Sequence, residues 1–271
     1  MTPFEKLPMV YESFTDAWVT ELAKTRQYGE LATPRGLTTF ERRWVQFTVE
    51  DPMTFPLVVE GRVFSNVIGV LEGTSLVGQF SVPELFTDHV KKFNEYYDGG
   101  TFHGSYGARA HGLLGDVVNV LKADPDSRQA VLTLFDATRD LARNKRDIPC
   151  TIACQFMIRK GLLEQRVTMR SNDLWLGTPY DFVQFGILQA SLAQALGVGV
   201  GQYVHAVGSL HLYERDFNAA RNVDAPFVDK RMGFPLWDCE PDQVFIRARD
   251  IALQRVTPST EFERWAHSLL S

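Results

Sequence analysis

The stretch from Cys150 to Tyr213 constrains this chain more than any other. CTIACQFMIR (150–159) and LLEQRVTMRS (162–171) are two β-type runs separated only by Lys160-Gly161, a spacing that closes a hairpin. YDFVQFGILQASLAQALG (180–197) then puts Phe182, Phe185, Leu188, Leu192, Ala195 and Leu196 on one side, with Gly197 after the last turn. That pattern predicts a buried helix with a glycine stop. Residues 202–213 return as a strand. Helices on one side of a mainly β core make an α+β pattern, distinct from the regular alternation of a doubly wound fold.

Upstream, residues 10–29 set Phe14, Trp18 and Leu22 at helical spacing, and RWVQFTV (43–49) alternates as a strand does. Helices are expected over 63–78, 82–97 and 108–122. The second is expected to start at Ser81, with Pro83 just inside, and to stop at Gly99 and Gly100. AVLTLF (130–135) follows the turn Asp124-Pro125-Asp126-Ser127 with strand composition. Residues 218–271 are less decipherable. No repeat, low-complexity tract or charge block divides the chain, so 1–271 reads as a single domain.

Composition narrows the function. With 271 residues and 45% apolar content, the chain can bury a sizeable core without staples. Cys150, Cys154 and Cys239 are odd in number and form no CxxC pair, so neither a disulfide framework nor a metal site is expected. A reducing, cytoplasmic setting follows. MTPFEKLPMV lacks the features of a signal peptide, and no run approaches the ~18 apolar residues that span a bilayer, so no membrane partner is expected. A net charge of −5 disfavours a nucleic-acid surface but allows an arginine pocket for one nucleotide.

Gly197-Val198-Gly199-Val200-Gly201 imitates a phosphate-binding glycine loop. Such a loop must follow a strand and open a helix, and here it follows a helix. A C-cap and turn is the better reading.

The chemistry rests on IPCT (148–151), MRSND (169–173), WLGTPYD (175–181) and VGSLHLY (207–213). Together these resemble thymidylate synthases, ungapped from Cys150 to Tyr213. Looser matches precede them at TPRG (33–36), FPLV (55–58), GSYG (104–107) and DPDSR (124–128). Ordinary thymidylate synthases carry histidine after the nucleophile, asparagine where Asp181 stands and a folate-covering tail not identifiable here. MRSND and VGSLHLY are similar to the deoxycytidylate and cytidylate hydroxymethylases of that superfamily. The resemblance implies an α+β subunit whose mixed sheet packs back to back in a homodimer.

The resemblance also implies roles. A pyrimidine C5 becomes nucleophilic only after something adds at C6, and a thiolate adds reversibly, so Cys150 is the covalent catalyst, expected to have a lowered pKa. Arg170 neighbours the thiol and binds the nucleotide phosphate, with Arg35 and Ser171 as further contacts. Arg128 matches an arginine supplied by the partner subunit, and Gln129 replaces a second phosphate arginine. Asp181 can accept from the N4 amine of cytosine and share a proton with N3; its structural alternative is an N-cap for helix 182–196. His211 and Tyr213, two apart on a strand, match the pair that binds the sugar 3′-hydroxyl. Tyr106 matches the tyrosine near the base, and Glu72, one residue off the usual spacing from FPLV, the glutamate that organises water and proton transfers. Asp173 and Gly177 fall where the family contacts folate.

The expected reaction is transfer of a one-carbon unit from 5,10-methylenetetrahydrofolate to C5 of CMP or dCMP, ending in water addition to give the 5-hydroxymethyl nucleotide. Two rivals stand beside it: a methylase or hydroxymethylase of uridine nucleotides, and a nucleotide-binding homodimer that has lost turnover.

Overall fold

The computed structural model describes residues 9–55, 57–89, 91–97, 102–141, 147–223 and 231–271. Among the described residues, eight strands join in one mixed sheet: β1 (Met9–Ser13), β2 (Glu30–Ala32), β3 (Thr39–Asp51), β4 (Val131–Thr133), β5 (Thr151–Arg159), β6 (Leu162–Met169), β7 (Asn172–Asp173) and β8 (Gly199–Tyr213). The order is β1-β3-β8-β6-β5-β4, with β2 on β3 and β7 on β8. β5 and β6 form the expected hairpin, and both turn residues adopt positive φ, 53° at Lys160 and 75° at Gly161. A two-residue connection needs that backbone to match the strand twist.

The helices are α1 (Phe14–Tyr28), α2 (Asn66–Gly78), α3 (Pro83–His89), α4 (Tyr106–Arg109), α5 (Leu113–Ala123), α6 (Ala137–Asp140), α7 (Thr178–Leu196), α8 (Phe217–Ala220), α9 (Val244–Ala252) and α10 (Glu261–Leu270). β6 and β8 run parallel, so the chain must cross over between them, and α7 is that crossover. Because α7 lies between the sheet and α2, it is buried on nearly every side from Thr178 to Ala195. Gly197 closes it in the left-handed conformation (φ 69°), and Gly199 already belongs to β8, so the glycine run is a cap and a strand start.

Three expectations need correction. The helix over 82–97 ends at His89, and a 3-10 turn, Lys91–Glu95, follows in which the Asn94 side chain donates to the Lys91 carbonyl. That local bond competes with helical pairing. Ser81 does not cap α3: Pro83 at the first helical position places the cap at Val82, and Ser81 Oγ is buried without a hydrogen-bond partner among the described residues. The helix over 108–122 is two helices, α4 and α5, parted by Gly112 at φ 79°. Gly99 and Gly100 lie outside the described residues.

On β6, Leu163, Gln165, Val167 and Met169 point into the core, and the opposite face keeps Glu164, Arg166 and Thr168 part or fully exposed. Their cross-strand neighbours there include Gln155, Ala153, Val204 and Ala206, and Arg166 donates to Gln46 at 3.1 Å.

Candidate active site

Cys150 stands immediately before β5, where the β5–β6 register shifts between Thr151 and Ala153. Such an irregularity re-aims neighbouring side chains. Cys150 is half-buried, whereas Cys154 is fully buried and packs in the core. The Arg170 N–H donates to the Cys150 carbonyl at 2.9 Å. Its guanidinium donates to the carbonyls of Pro149 and Ile148, both at 3.0 Å, and Nη2 lies 3.8 Å from Cys150 Sγ. A fixed positive charge therefore borders the sulfur. The expected lowering of the thiol pKa is nonetheless overturned: burial pushes it up, and Asp181, Asp147 and Asp173 add to that, against the opposing pull of Arg170.

Tyr106, at the start of α4, donates to Thr151 Oγ1 and accepts from the Thr151 N–H, both at 3.0 Å. It thereby grips the residue after the thiol. Burial first, then the Cys150 and Asp181 charges, hold its phenol well above the usual range.

Asp181 is not an N-cap. α7 begins three residues earlier at Thr178, capped by Gly177, which leaves Asp181 in the first turn with its side chain buried. Asn172 Nδ2 donates to its Oδ2 at 2.6 Å and Gln184 Nε2 to its Oδ1 at 2.7 Å. Behind Asn172, Oδ1 accepts from Thr178 Oγ1 at 2.8 Å and pairs with His205 Nε2 at 2.9 Å, and His205 Nδ1 pairs with the Tyr203 hydroxyl at 2.9 Å. Burial holds His205 down to about 3, so the ring is neutral, donating to Asn172 and accepting from Tyr203. Each link fixes the next, and both internal partners of Asp181 are donors. Burial pushes the Asp181 carboxyl up to about 7 despite those two hydrogen bonds.

Glu72 sits mid-way along α2, which approaches α7 closely because Gly69 and Gly73 leave room for Val183, Gln184 and Ile187. A Cβ at Gly69 would lie 2.8 Å from Val183. The half-buried Glu72 is pushed up to about 8, by burial first and then by the Asp181 and Asp147 charges. Two acids on two packed helices thus bear on each other, and Asp181 bears on the thiol.

Of the other expected residues, His211 and Tyr213 share a face of β8, ring centroids 5.2 Å apart, with His211 paired across to Glu41 and Asp173. Ser171 is half-buried between β6 and β7. Arg35 is exposed on a 3-10 turn, Pro34–Gly36, and its charge, like the Asp147 and Tyr213 groups, is felt by Tyr96. Arg128 is not brought beside the thiol: it is exposed at the α5–β4 turn, in an open cavity of about 590 Å³ shared with Gln129 and Arg159. Asp173 Oδ1 accepts from the Trp175 and Leu176 N–H groups at 2.8 and 3.0 Å, and Gly177 closes that turn at α7.

Sequence reasoning passed over several neighbours. Asn172 lay inside MRSND, while His205 and Tyr203 alternate on β8 just as His211 and Tyr213 do. Asp147 and Arg62 carried no motif. The Arg62 guanidinium lies 4.2 to 5.4 Å from the rings of Trp175, Phe64 and Trp18, with Nη1 buried and without a hydrogen-bond partner among the described residues. Among the described residues no group of three or more His, Cys, Asp or Glu side chains could hold a metal ion, and no helix is long and apolar enough to cross a membrane.

Comparison with known proteins agrees with this geometry. Residues 27–226 match the family model described as Thymidylate synthase. A deoxyuridylate hydroxymethyltransferase of Bacillus phage SP01 is 30% identical over 228 residues, covering 78% of this chain and 60% of that protein. One of Pseudomonas phage M6 is 33% identical over 192 residues, 68% of this chain and 52% of that protein. A bifunctional dihydrofolate reductase-thymidylate synthase of Zea mays is 27% identical over 172 residues, 62% of this chain and 32% of that protein. The chain thus spans between half and three fifths of the length of the phage proteins it matches. The chain belongs to the thymidylate synthase family.

Proposed function

We propose that this protein transfers a one-carbon unit to C5 of a pyrimidine nucleoside monophosphate, and that it converts CMP or dCMP to the 5-hydroxymethyl derivative. Asp181 is the observation behind the choice of cytosine. Its two internal partners are both donors, so a proton on the carboxyl can be given only outward. Cytosine N3 can share that proton wherever it sits, while the N4 amine donates to the other oxygen. Uracil is served only while the acid keeps its proton, because an ionised carboxylate sets a lone pair against O4. A pKa near 7 keeps both forms in play at neutral pH.

In this reading Cys150 Sγ bonds to C6, and the proton held between Asp181 and N3 disperses the charge that enters the ring. Arg170 offsets the thiolate. Asp181, once protonated below about pH 7, also stops opposing it. Tyr106 holds Thr151 and can pass on the C5 proton, and Glu72 relays protons to the base through water. 5,10-Methylenetetrahydrofolate, the family's co-substrate, supplies the carbon when bound. The half-buried rings of Phe64 and Trp175, backed by the buried Trp18, with the unpaired Nη1 of Arg62 beside them, suit a flat polar heterocycle, and Asp173 and Gly177 belong to the same turn as Trp175. Arg35, Arg170 and Ser171 take the phosphate, and His211 and Tyr213 the 3′-hydroxyl.

We read 1–271 as one thymidylate synthase-like domain that works as a homodimer. The position of Arg128, away from its own thiol, suits donation to the partner's phosphate site, and the part-exposed sheet face around Gln46, Arg166 and Val204 suits the interface. Three free cysteines suit a reducing, cytoplasmic setting.

A second reading, hydroxymethylation of deoxyuridylate, is favoured by the names of the phage relatives. The test incubates the protein with methylenetetrahydrofolate and, separately, CMP, dCMP, UMP and dUMP, followed by mass spectrometry of the nucleotide. A hydroxymethylated cytidine product is expected, reduced on the order of 10⁴-fold or more in Cys150→Ala. A uridine product alone would favour the second reading. Nucleotide binding without turnover would leave a binding homodimer.

A further inference from the structure

Resting on the hydroxymethyl reading, we propose that Asp147 holds and deprotonates the water that adds to the C5 methylene. Hydroxymethylation ends differently from methylation: a water must be placed at the new carbon, and its proton needs an acceptor. The groups already described are committed elsewhere. Cys150 is bonded to C6, Tyr106 holds Thr151 and serves the C5 proton, and Asp181 and Glu72 are given to the proton transfers at the base.

Asp147 precedes the thiol by three residues on a segment that Arg170 clamps through the carbonyls of Ile148 and Pro149. Its position relative to the sulfur is therefore set. The Gly104 N–H donates to Asp147 Oδ2 at 2.7 Å and orients the carboxylate. A Cβ at Gly104 would fall 2.5 Å from Oδ1, so only glycine leaves room for this arrangement. Asp147 is half-buried, which keeps it within reach of water. Its charge is felt by Cys150 and Glu72 and also by the exposed Tyr96.

The step balances without an oxidant or reductant. The water oxygen bonds to the exocyclic methylene carbon, and its proton goes to Asp147. The methylene π pair moves to C5 and then forms the C5–C6 double bond as the C6–S bond breaks, returning Cys150 as thiolate.

The experiment compares wild type, Asp147→Asn and Asp147→Glu with methylenetetrahydrofolate and the nucleotide that wild type turns over, labelled with tritium at C5. Tritium release, 5-hydroxymethyl product and, with 2-mercaptoethanol added, the 5-thioether are measured. A thiolate arrives already deprotonated and needs no base. Asp147→Asn is expected to keep tritium release within about threefold when thiol is present. Hydroxymethyl product per tritium released should fall about 100-fold, a typical general-base contribution. Thioether should take its place, and Asp147→Glu should restore part of the hydroxymethyl product. Gly104→Ala, which crowds the carboxylate without removing it, should shift the partition the same way. An unchanged partition in Asp147→Asn would overturn the inference, as would a parallel loss of both signals, which marks a structural role. Absence of hydroxymethyl product from wild type would instead remove the parent reading and this one with it.

Discussion

Two pairs of buried acids in this molecule are treated in opposite ways. Asp140, beneath α4, receives both arms of Arg109 at 2.8 Å, and Glu263, in α10, receives Arg247 at 2.7 and 2.8 Å. Burial works against each. Arg109, the Asp136 N–H and His103 still hold Asp140 well below the usual carboxylate range, and Arg247 with three backbone N–H groups holds Glu263 at about 2. At the cleft, Asp181 receives two side-chain amides, and Glu72 has further carboxylates as its electrostatic neighbours; burial prevails, and they rise to about 7 and about 8. Scaffold acids are thus kept ionised by forked arginines, and the cleft acids are left able to exchange a proton near neutral pH. Strongly raised carboxyl pKa values in a cleft mark a site of proton transfer.

The contrast can be broken at either end. The largest expected effect is at Glu72: Glu72→Gln keeps the size and removes the exchangeable proton. Turnover should fall about 10²- to 10⁴-fold, measured as kcat in steady-state assays, with nucleotide affinity little changed. Arg109→Ala attacks the scaffold. Leaving Asp140 buried without its guanidinium, held only by His103 and the Asp136 N–H, should cost about 3–5 kcal/mol, read from the urea midpoint. A loss below about 1 kcal/mol would mean that Asp140 can escape to water. The smallest effect is the pH dependence of stability. Glu72 and Asp181 bind protons more tightly when folded, so the stability they confer is complete below about pH 4 and is lost as pH rises through about 7 and 8. Glu263 works the other way, losing its contribution only as pH falls through about 2. Urea midpoints between pH 5 and 9 should therefore decline in wild type and flatten in Asp181→Asn; equal slopes would contradict the burial argument.

What the sequence revealed follows the range of the interactions. The hairpin at Lys160-Gly161 and the buried α7 were legible because turn chemistry and periodicity are local. Thr260-Glu261-Phe262-Glu263 is a capping-box sequence that announces α10, and the structure forms that box, so part of the obscure tail was readable after all. The family frame singled out Cys150, Arg170 and Asp181, which the fold brings to one cleft. It did not reveal that Asn172 and His205, 33 positions apart, orient Asp181, because that depends on the meeting of β7, β8 and α7, nor that Asp147 bears on the thiol, because a lone aspartate three residues away carries no motif. The direction of the thiol pKa was hidden for a related reason: the family frame marks Arg170 and leaves Asp147 unmarked, whereas burial and the approach of Asp181 are assembled by the fold.

The most direct test of the cleft acids' role is competition among equimolar CMP, dCMP, UMP and dUMP, with product ratios measured for wild type and Asp181→Asn. Wild type is expected to favour cytidine nucleotides. The amide in the Asp181→Asn variant would present one donor and one acceptor suited to uracil, so the ratio should move toward uridine about 5- to 150-fold, given roughly 1–3 kcal/mol for a mis-set buried hydrogen bond. The same base preference in both proteins would contradict the role given to Asp181.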